Sequence, residues 1–182
     1  MRPVSAAAIR TARLDLLPLR VEDAEEMAAV LADPALHHFT GGEPATPDAL
    51  RARYRRQTAG SPDPDVSWCN WIVRLRADGR AAGYLQATAA PGTAEIAWVI
   101  GTPWQGRGLA AEAARALTDW LTGQGVHTVT AHIHPDHHAS AAVARAAGLT
   151  PTTEQQDGET RWQLSGAPQA GSARNADSGG AV

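Results

Sequence analysis

Between Ala94 and Leu121 the chain passes from a strand pattern into an Ala-rich helix pattern through Gly101-Thr102-Pro103-Trp104-Gln105-Gly106-Arg107-Gly108, and no other stretch narrows the available folds as much. Glycines at the start of a helix let the backbone approach a ligand closely. The unpaired N–H groups there, with the helix dipole, favour negative charge. A tight turn that needs glycine for conformation alone reads the same way. Gly106-Arg107-Gly108-Leu109-Ala110-Ala111 also fits the loose dinucleotide fingerprint G-x-G-x-x-A. That fingerprint belongs after the first strand of a repeated βαβ series, with an acid about 20 residues on. Here the glycines follow a run of strands and only one crossover comes after them, which disfavours a dinucleotide.

The rest of the chain reads around this junction. Arg13 to Leu19 alternates apolar and polar residues as a half-buried strand does, and Val21 to Leu31 has helical spacing with acids in its first turn. Thr46-Pro47-Asp48 caps a second helix running to about Thr58. Its Arg51, Arg53, Arg55 and Arg56 read as a solvated face, with an anion site as the alternative. Cys69 to Leu75, Ala82 to Ala89 and Ala94 to Ile100, separated by turn residues, form an antiparallel meander. Gly106 to Leu121 is a helix, Val126 to Ile133 a strand, His137 to Ala147 a helix stopped by Gly148, and Glu159 to Leu164 a last short strand. The expected architecture is α/β (α+β): a single domain with a mixed, mostly antiparallel sheet flanked by helices, containing one βαβ unit. Residues 1–10 are expected to be a flexible N-terminus, 11–165 the domain, and 166–182 a disordered tail without large apolar side chains.

Composition removes several classes. All 16 Lys/Arg positions are Arg, so no lysine Schiff base or P-loop lysine exists. A net charge of -3 argues against nucleic acid held by bulk basicity. The one cysteine, Cys69, forms neither an internal disulfide nor a thiolate cluster, and reads as a small core residue. No stretch approaches a membrane span or a signal-peptide core, so a cytoplasmic chain without membrane partners is expected. His132, His134, His137 and His138 crowd one segment, but no Cys or acid beyond Asp136 stands at ligand spacing, and no metal is expected.

Gln105-x-x-Gly108-x-Ala110 resembles the acetyl-CoA pyrophosphate loop of the GNAT N-acetyltransferase superfamily. Thr93 to Ile100 resembles that superfamily's central strand, and Trp104 to Ala113 its W-G-x-G-x-A-x-E-A form. His134 to Leu149 is similar to the P-x-N-x-A-S-x-x-V-A-x-x-x-G-F segment of the ribosomal-protein N-terminal acetyltransferase-like branch, and Thr11 to Asp23 to that branch's opening strand and turn. The family Asn falls at His137 and the family Phe at Leu149. No tyrosine lies in 137–149, where many members keep a general acid; Tyr54 and Tyr84 are distant.

The resemblance implies acetyl-CoA as co-substrate. It places Gly106, Arg107, Gly108, Leu109 and Ala110 at the pyrophosphate, with Gln105 opening the loop. Trp98, Val99 and Ile100 lie along the pantetheine arm, with His137 nearby. Glu95 falls at the carboxylate base, for which partial burial would raise the pKa; its alternative is a solvent-facing strand acid. Ser140 falls near the CoA sulfur as a donor to the leaving thiolate, with helix capping as the alternative. Trp68, Trp71, Trp98 and Trp162 read as core or strand-face residues.

Trp68 to Leu75 and Gly83 to Thr88 resemble small-molecule members, including kasugamycin-type aminoglycoside 2'-N-acetyltransferases. Glu43, Asp63 and Asp65 would receive a cationic aminosugar, or are solvated loop charges. The expected acceptor is a small-molecule primary amine. A protein N-terminal acetyltransferase and a catalytically silent acyl-CoA-binding module are the alternatives, and the chain is expected as a monomer or homodimer.

Overall fold

The computed structural model describes residues 4–39 and 41–165; the expected tail, 166–182, lies outside them. The strands are β1 (Ile9–Arg10), β2 (Leu14–Pro18), β3 (Ser67–Leu75), β4 (Ala81–Ala90), β5 (Thr93–Ile100), β6 (Thr128–Ile133), β7 (Thr150–Gln156) and β8 (Glu159–Ser165). The helices are α1 (Ala24–Val30), α2 (Pro47–Ala59), α3 (Leu109–Gly123) and α4 (His138–Ala146). One eight-stranded sheet runs β1-β2-β3-β4-β5-β6-β8-β7. Every neighbouring pair is antiparallel except β5 and β6, which α3 connects as a crossover.

The two faces of the sheet are covered unequally. On one, Leu109, Ala113, Ala114, Leu117 and Leu121 of α3, with Ala141 and Ala144 of α4, bury against Leu85, Ala87, Ile96, Val129 and Ala131. On the other, Met27 of α1 and Leu50 and Tyr54 of α2 bury against Ile72 and Ala81. That second cover stops at β4: Thr93, Glu95 and Ala97 of β5 are exposed. Beneath α1, the carboxylate of Asp23, only 5% exposed, accepts from Arg74 at 3.0 Å and from the Arg20 backbone at 2.8 Å, so this buried charge is paired.

Three differences from the sequence reading have plain causes. α3 begins at Leu109 rather than Gly106, because Gly106 and Gly108 have φ of 71° and 74°, outside the right-handed helix. β7 is an additional strand whose polar, exposed residues show no alternation. It forms by hairpin pairing with β8 across Asp157-Gly158, both at positive φ, and that Asp-Gly pair is its legible signal.

The third concerns residues 4–10, expected within a flexible N-terminus, which instead lie along the sheet. Trp71 Nε1 donates to Ala7 O at 2.7 Å, Val4 N–H donates to Ser67 Oγ at 3.2 Å, and Ile9 pairs with Leu16. The fully buried Trp71 indole needs an acceptor, and this segment supplies it.

Gly83 of β4 sits where β5 presses closest. An added Cβ would overlap the Val99 carbonyl oxygen and stand 2.9 Å from Ile100 Cδ1. We expect Gly83→Ala to lower the unfolding free energy by about 1–3 kcal/mol in urea titration, the range for an overpacked core. An unchanged midpoint would mean that β5 yields there freely.

Candidate active site

β5 and β6 pair over only three positions, Thr93↔Thr128, Ala94↔Val129 and Glu95↔Thr130. Beyond them β5 keeps β4 on one side, through Gly83↔Ile100, and among the described residues has no strand on the other. β6 turns to β8 in the same way. A wedge therefore opens within the sheet, edged on β5 by main chain without a ladder partner. Trp98, opposite Leu85, packs its side chain on the α3 side, while Val99, opposite Tyr84, faces the α2 side. Ile100 is buried.

The loop at the mouth of the wedge is held from both ends. Gln105 Nε2 donates to Ile100 O at 2.9 Å, which folds the loop back on its own strand. Gly106, Arg107 and Gly108 are exposed, and Gly108 caps α3 with no side-chain hydrogen bond to the first turn. The helix therefore presents N–H groups without a side-chain cap, an arrangement that favours an anion. Leu109, a residue 3% exposed, anchors this turn in the core, and Ala110 is half-buried.

One residue of α3 ties the loop to the start of the domain. Glu112 accepts from Thr11 Oγ1 at 2.6 Å, from Arg13 N–H at 2.8 Å and from Arg13 Nε at 2.6 Å, and Arg13 Nη1 donates to Arg107 O at 2.9 Å. Burial acts to raise the Glu112 pKa, but these hydrogen bonds and the Arg13 charge outweigh it and hold the carboxyl below its ordinary 4.5.

Glu95 stands where β5 and β6 part, with its side chain 55% exposed, so the partial burial expected from the sequence is not its environment. Its partner is His132, two residues beyond Thr130 on the same face of β6, whose Nδ1 lies 2.9 Å from Glu95 Oε1. An ionised carboxylate only accepts, so Nδ1 carries the proton and donates. The sequence offered no means to find this pair, because parallel register is set by the crossover.

The other histidines have separate tasks. His137, at the family's Asn position, caps α4: its Nδ1 accepts from Ser140 N–H at 3.4 Å. Burial, then the neighbouring His134 and His38, push its pKa below 6.5, which suits an imidazole that accepts. Ser140 therefore contributes its backbone N–H to the cap, while its side chain makes no capping bond. Phe39, reaching over from the loop after α1, stacks on His137 at 4.2 Å and lies 5.4 Å from His134. Among the described residues no group of three or more His, Cys, Asp or Glu could hold a metal ion. Cys69 is buried, with burial pushing its thiol pKa up to about 11.

Beside this face, between α1, α2, β3 and β4, lies a cavity of about 160 Å³. Leu19, Leu31, Leu50, Trp71 and Leu85 form its apolar lining, and its polar lining is Arg53, Tyr54, Gln57, Asn70, Tyr84 and Gln86. Gln86 pairs with Ala97, two residues from Glu95, and all three face the same side of the sheet. Strand geometry puts Gln86 and Glu95 about 8 Å apart. Glu43, Asp63 and Asp65 are exposed loop acids that do not line the cavity. The polar lining is not legible in the sequence because its residues come from three separate elements, α2, β3 and β4.

The Glu112 clamp carries a pH signature. A lowered folded pKa contributes stability above the carboxyl's unfolded pKa and loses it as pH falls through the folded value. Wild type should therefore melt above Glu112→Gln at neutral pH, with the gap closing on acidification well below pH 4.5. A gap that persists in acid would assign the effect to packing.

The profile of the acetyltransferase (GNAT) domain matches residues 13–150, well over half of the chain. No curated protein matches. Among solved structures, an acetyltransferase from Agrobacterium tumefaciens is 26% identical over 88% of this chain and 95% of its own, with a TM-score of 0.70. Two others, each 17% identical, share the fold. A ribosomal alpha-N-protein acetyltransferase in complex with coenzyme A has a TM-score of 0.72 over 88% of this chain and 98% of its own. An aminoglycoside acetyltransferase, also in complex with coenzyme A, has a TM-score of 0.67 over 84% and 94%. With the mixed sheet, the parting parallel pair and the glycine loop in their family order, the chain belongs to the GNAT acetyltransferases and is an acyltransferase.

Proposed function

We propose that residues 11–165 form an N-acetyltransferase unit that moves the acetyl group of acetyl-CoA to a primary amine of a small molecule. The observation that carries this reading is the wedge between β5 and β6 opening beside an α3 N-terminus without a side-chain cap. An anion cradle next to an unpaired strand edge suits a ligand with both a pyrophosphate and an extended, amide-bearing arm. Coenzyme A has both, and two solved proteins of this fold are complexes with it.

In this reading the N–H groups of Gly106, Arg107, Gly108, Leu109 and Ala110 take the pyrophosphate, with the Arg107 guanidinium adding charge. Gln105 keeps the loop closed on Ile100. The main chain of Trp98, Val99 and Ile100 lies along the pantetheine arm, with His137 and Ser140 across the wedge. Acetyl-CoA supplies the activated thioester.

Glu95 accepts the amine proton as general base. Its Oε1 is held by His132, which leaves Oε2 for the acceptor. Ser140 Oγ donates to the departing thiolate, the task for which water is the alternative. The cavity is below the roughly 300–1,000 Å³ of drug-sized sites, which favours a small amine over a polypeptide N-terminus.

The test follows thiol release from acetyl-CoA with aminosugars, polyamines, amino acids and N-terminal peptides. At least one small amine should release thiol. Glu95→Gln should cut turnover by about 100- to 10,000-fold, with calorimetric affinity for acetyl-CoA unchanged. Release with peptides alone would shift the reading to a protein N-terminal acetyltransferase, and full activity of the variant would remove Glu95 as base.

A further inference from the structure

The polar part of the cavity has one formal charge, and it is positive. Arg53 lines the cavity and makes no ion pair or hydrogen bond among the described residues, whereas Arg51 on the same helix is engaged by Asp48 at 2.5 Å and Glu25 at 3.2 Å. No Asp or Glu is among the described lining residues. Asp23, near enough for its charge to reach Tyr54, is already paired with Arg74 at 3.0 Å.

The neutral groups point to the same kind of ligand. Asn70 Oδ1 accepts from Gln86 Nε2 at 3.0 Å and from Gln57 Nε2 at 3.4 Å, an arrangement that turns the Asn70 amide nitrogen, a donor, away from both. Tyr54 and Tyr84 line the same space, and neither hydroxyl makes a hydrogen bond among the described residues. Burial raises the pKa of both phenols, that of Tyr54 to about 12, so both remain protonated donors, while the Arg53 charge acts on each in the opposite direction. A guanidinium and two phenols thus converge on a small space without an anion of its own. A cationic ligand would meet like charge there, and an anionic one would complete the set.

We infer that the cavity holds the acceptor amine by a carboxylate, with Arg53 as counter-ion and the Tyr54 and Tyr84 hydroxyls as further donors, so that the acceptor class is the amino acids and not the polycationic aminosugars. The inference rests on the acetyl-transfer reading above and deepens it. Gln86 joins the cavity to the Glu95 side of the sheet, so a small amino acid gripped here extends its amine towards β5. The roughly 8 Å between Gln86 and Glu95 sets the scale of the span to be bridged.

The experiment pairs acceptors that differ in the carboxylate alone. Thiol release from acetyl-CoA is measured with glycine against glycinamide, L-alanine against L-alaninamide, and longer ω-amino acids against alkylamines of matching length, with a polyamine as cationic control. Wild type should favour at least one carboxylated member by about tenfold or more in kcat/KM, the lower end for a charge-assisted hydrogen bond. Arg53→Gln should abolish that preference through KM, and Arg53→Lys should restore part of it. Arg53 is an exposed residue without protein partners, so both variants should keep the wild-type melting temperature.

Equal or better turnover of the amides, alkylamines or polyamine would overturn the inference while leaving acetyl transfer in place. Should no amine release thiol, the acetyl-transfer reading fails and ligand-observed NMR decides the cavity separately. Binding of an amino acid but not its uncharged partner, lost in Arg53→Gln, supports the inference, and binding independent of the carboxylate or of Arg53 overturns it.

Discussion

A parallel strand pair that lasts for three residues is the constraint on which the molecule turns. Parallel neighbours cannot be joined by a tight turn, so α3 must cross between them and its N-terminus must lie at the end of β5. Once the pair parts, a strand edge and a helix end stand side by side, each with main-chain groups in search of partners. Elsewhere the sheet is a sequence of antiparallel ladders, with register shifts in the β3–β4 and β7–β8 pairs. The fold opens its candidate site by withholding hydrogen bonds at one place.

The unequal covering of the sheet completes the arrangement. α3 and α4 seal one face with small residues, Ala113, Ala114, Ala141 and Ala144, which let the helices sit close. α1 and α2 cover the other face only as far as β4, so Glu95 and Ala97 remain open to whatever the cavity beside them holds. The His132–Glu95 bond fixes the direction of an otherwise free carboxylate without removing it from solvent. Orientation, rather than burial, is what the protein contributes at that group.

The elements legible in the sequence were those whose information is local. Thr46-Pro47 announced α2, the turn at Pro91-Gly92 before the run Ala94 to Ile100 announced β5, and the glycines announced the α3 junction, because caps, turns and positive φ depend on a few neighbouring residues. The Arg-rich face of α2 was legible as a feature but not as a set of separate residues. Which arginine meets an acid and which faces a cavity depends on how α2 lies against α1 and β4. His132 and Glu95 are 37 positions apart and meet only through parallel register. The docking of residues 4–10 follows from the need of a buried indole on β3 for an acceptor, a need that the segment's own residues do not display.

The Glu112 clamp also bears on how the chain reaches this state. The contacts that fix the glycine loop span 94 to 101 positions, joining Thr11 and Arg13 to Arg107 and Glu112. Closing so long a stretch of chain costs entropy before any contact repays it, so such contacts form late in folding. The meander and the Ala-rich helix can assemble from nearer neighbours, whereas the clamped form of the loop waits for the first strands to arrive. A partly folded chain would thus have most of its sheet and lack the clamped form of its glycine loop, and closure of the clamp becomes a marker that folding is complete.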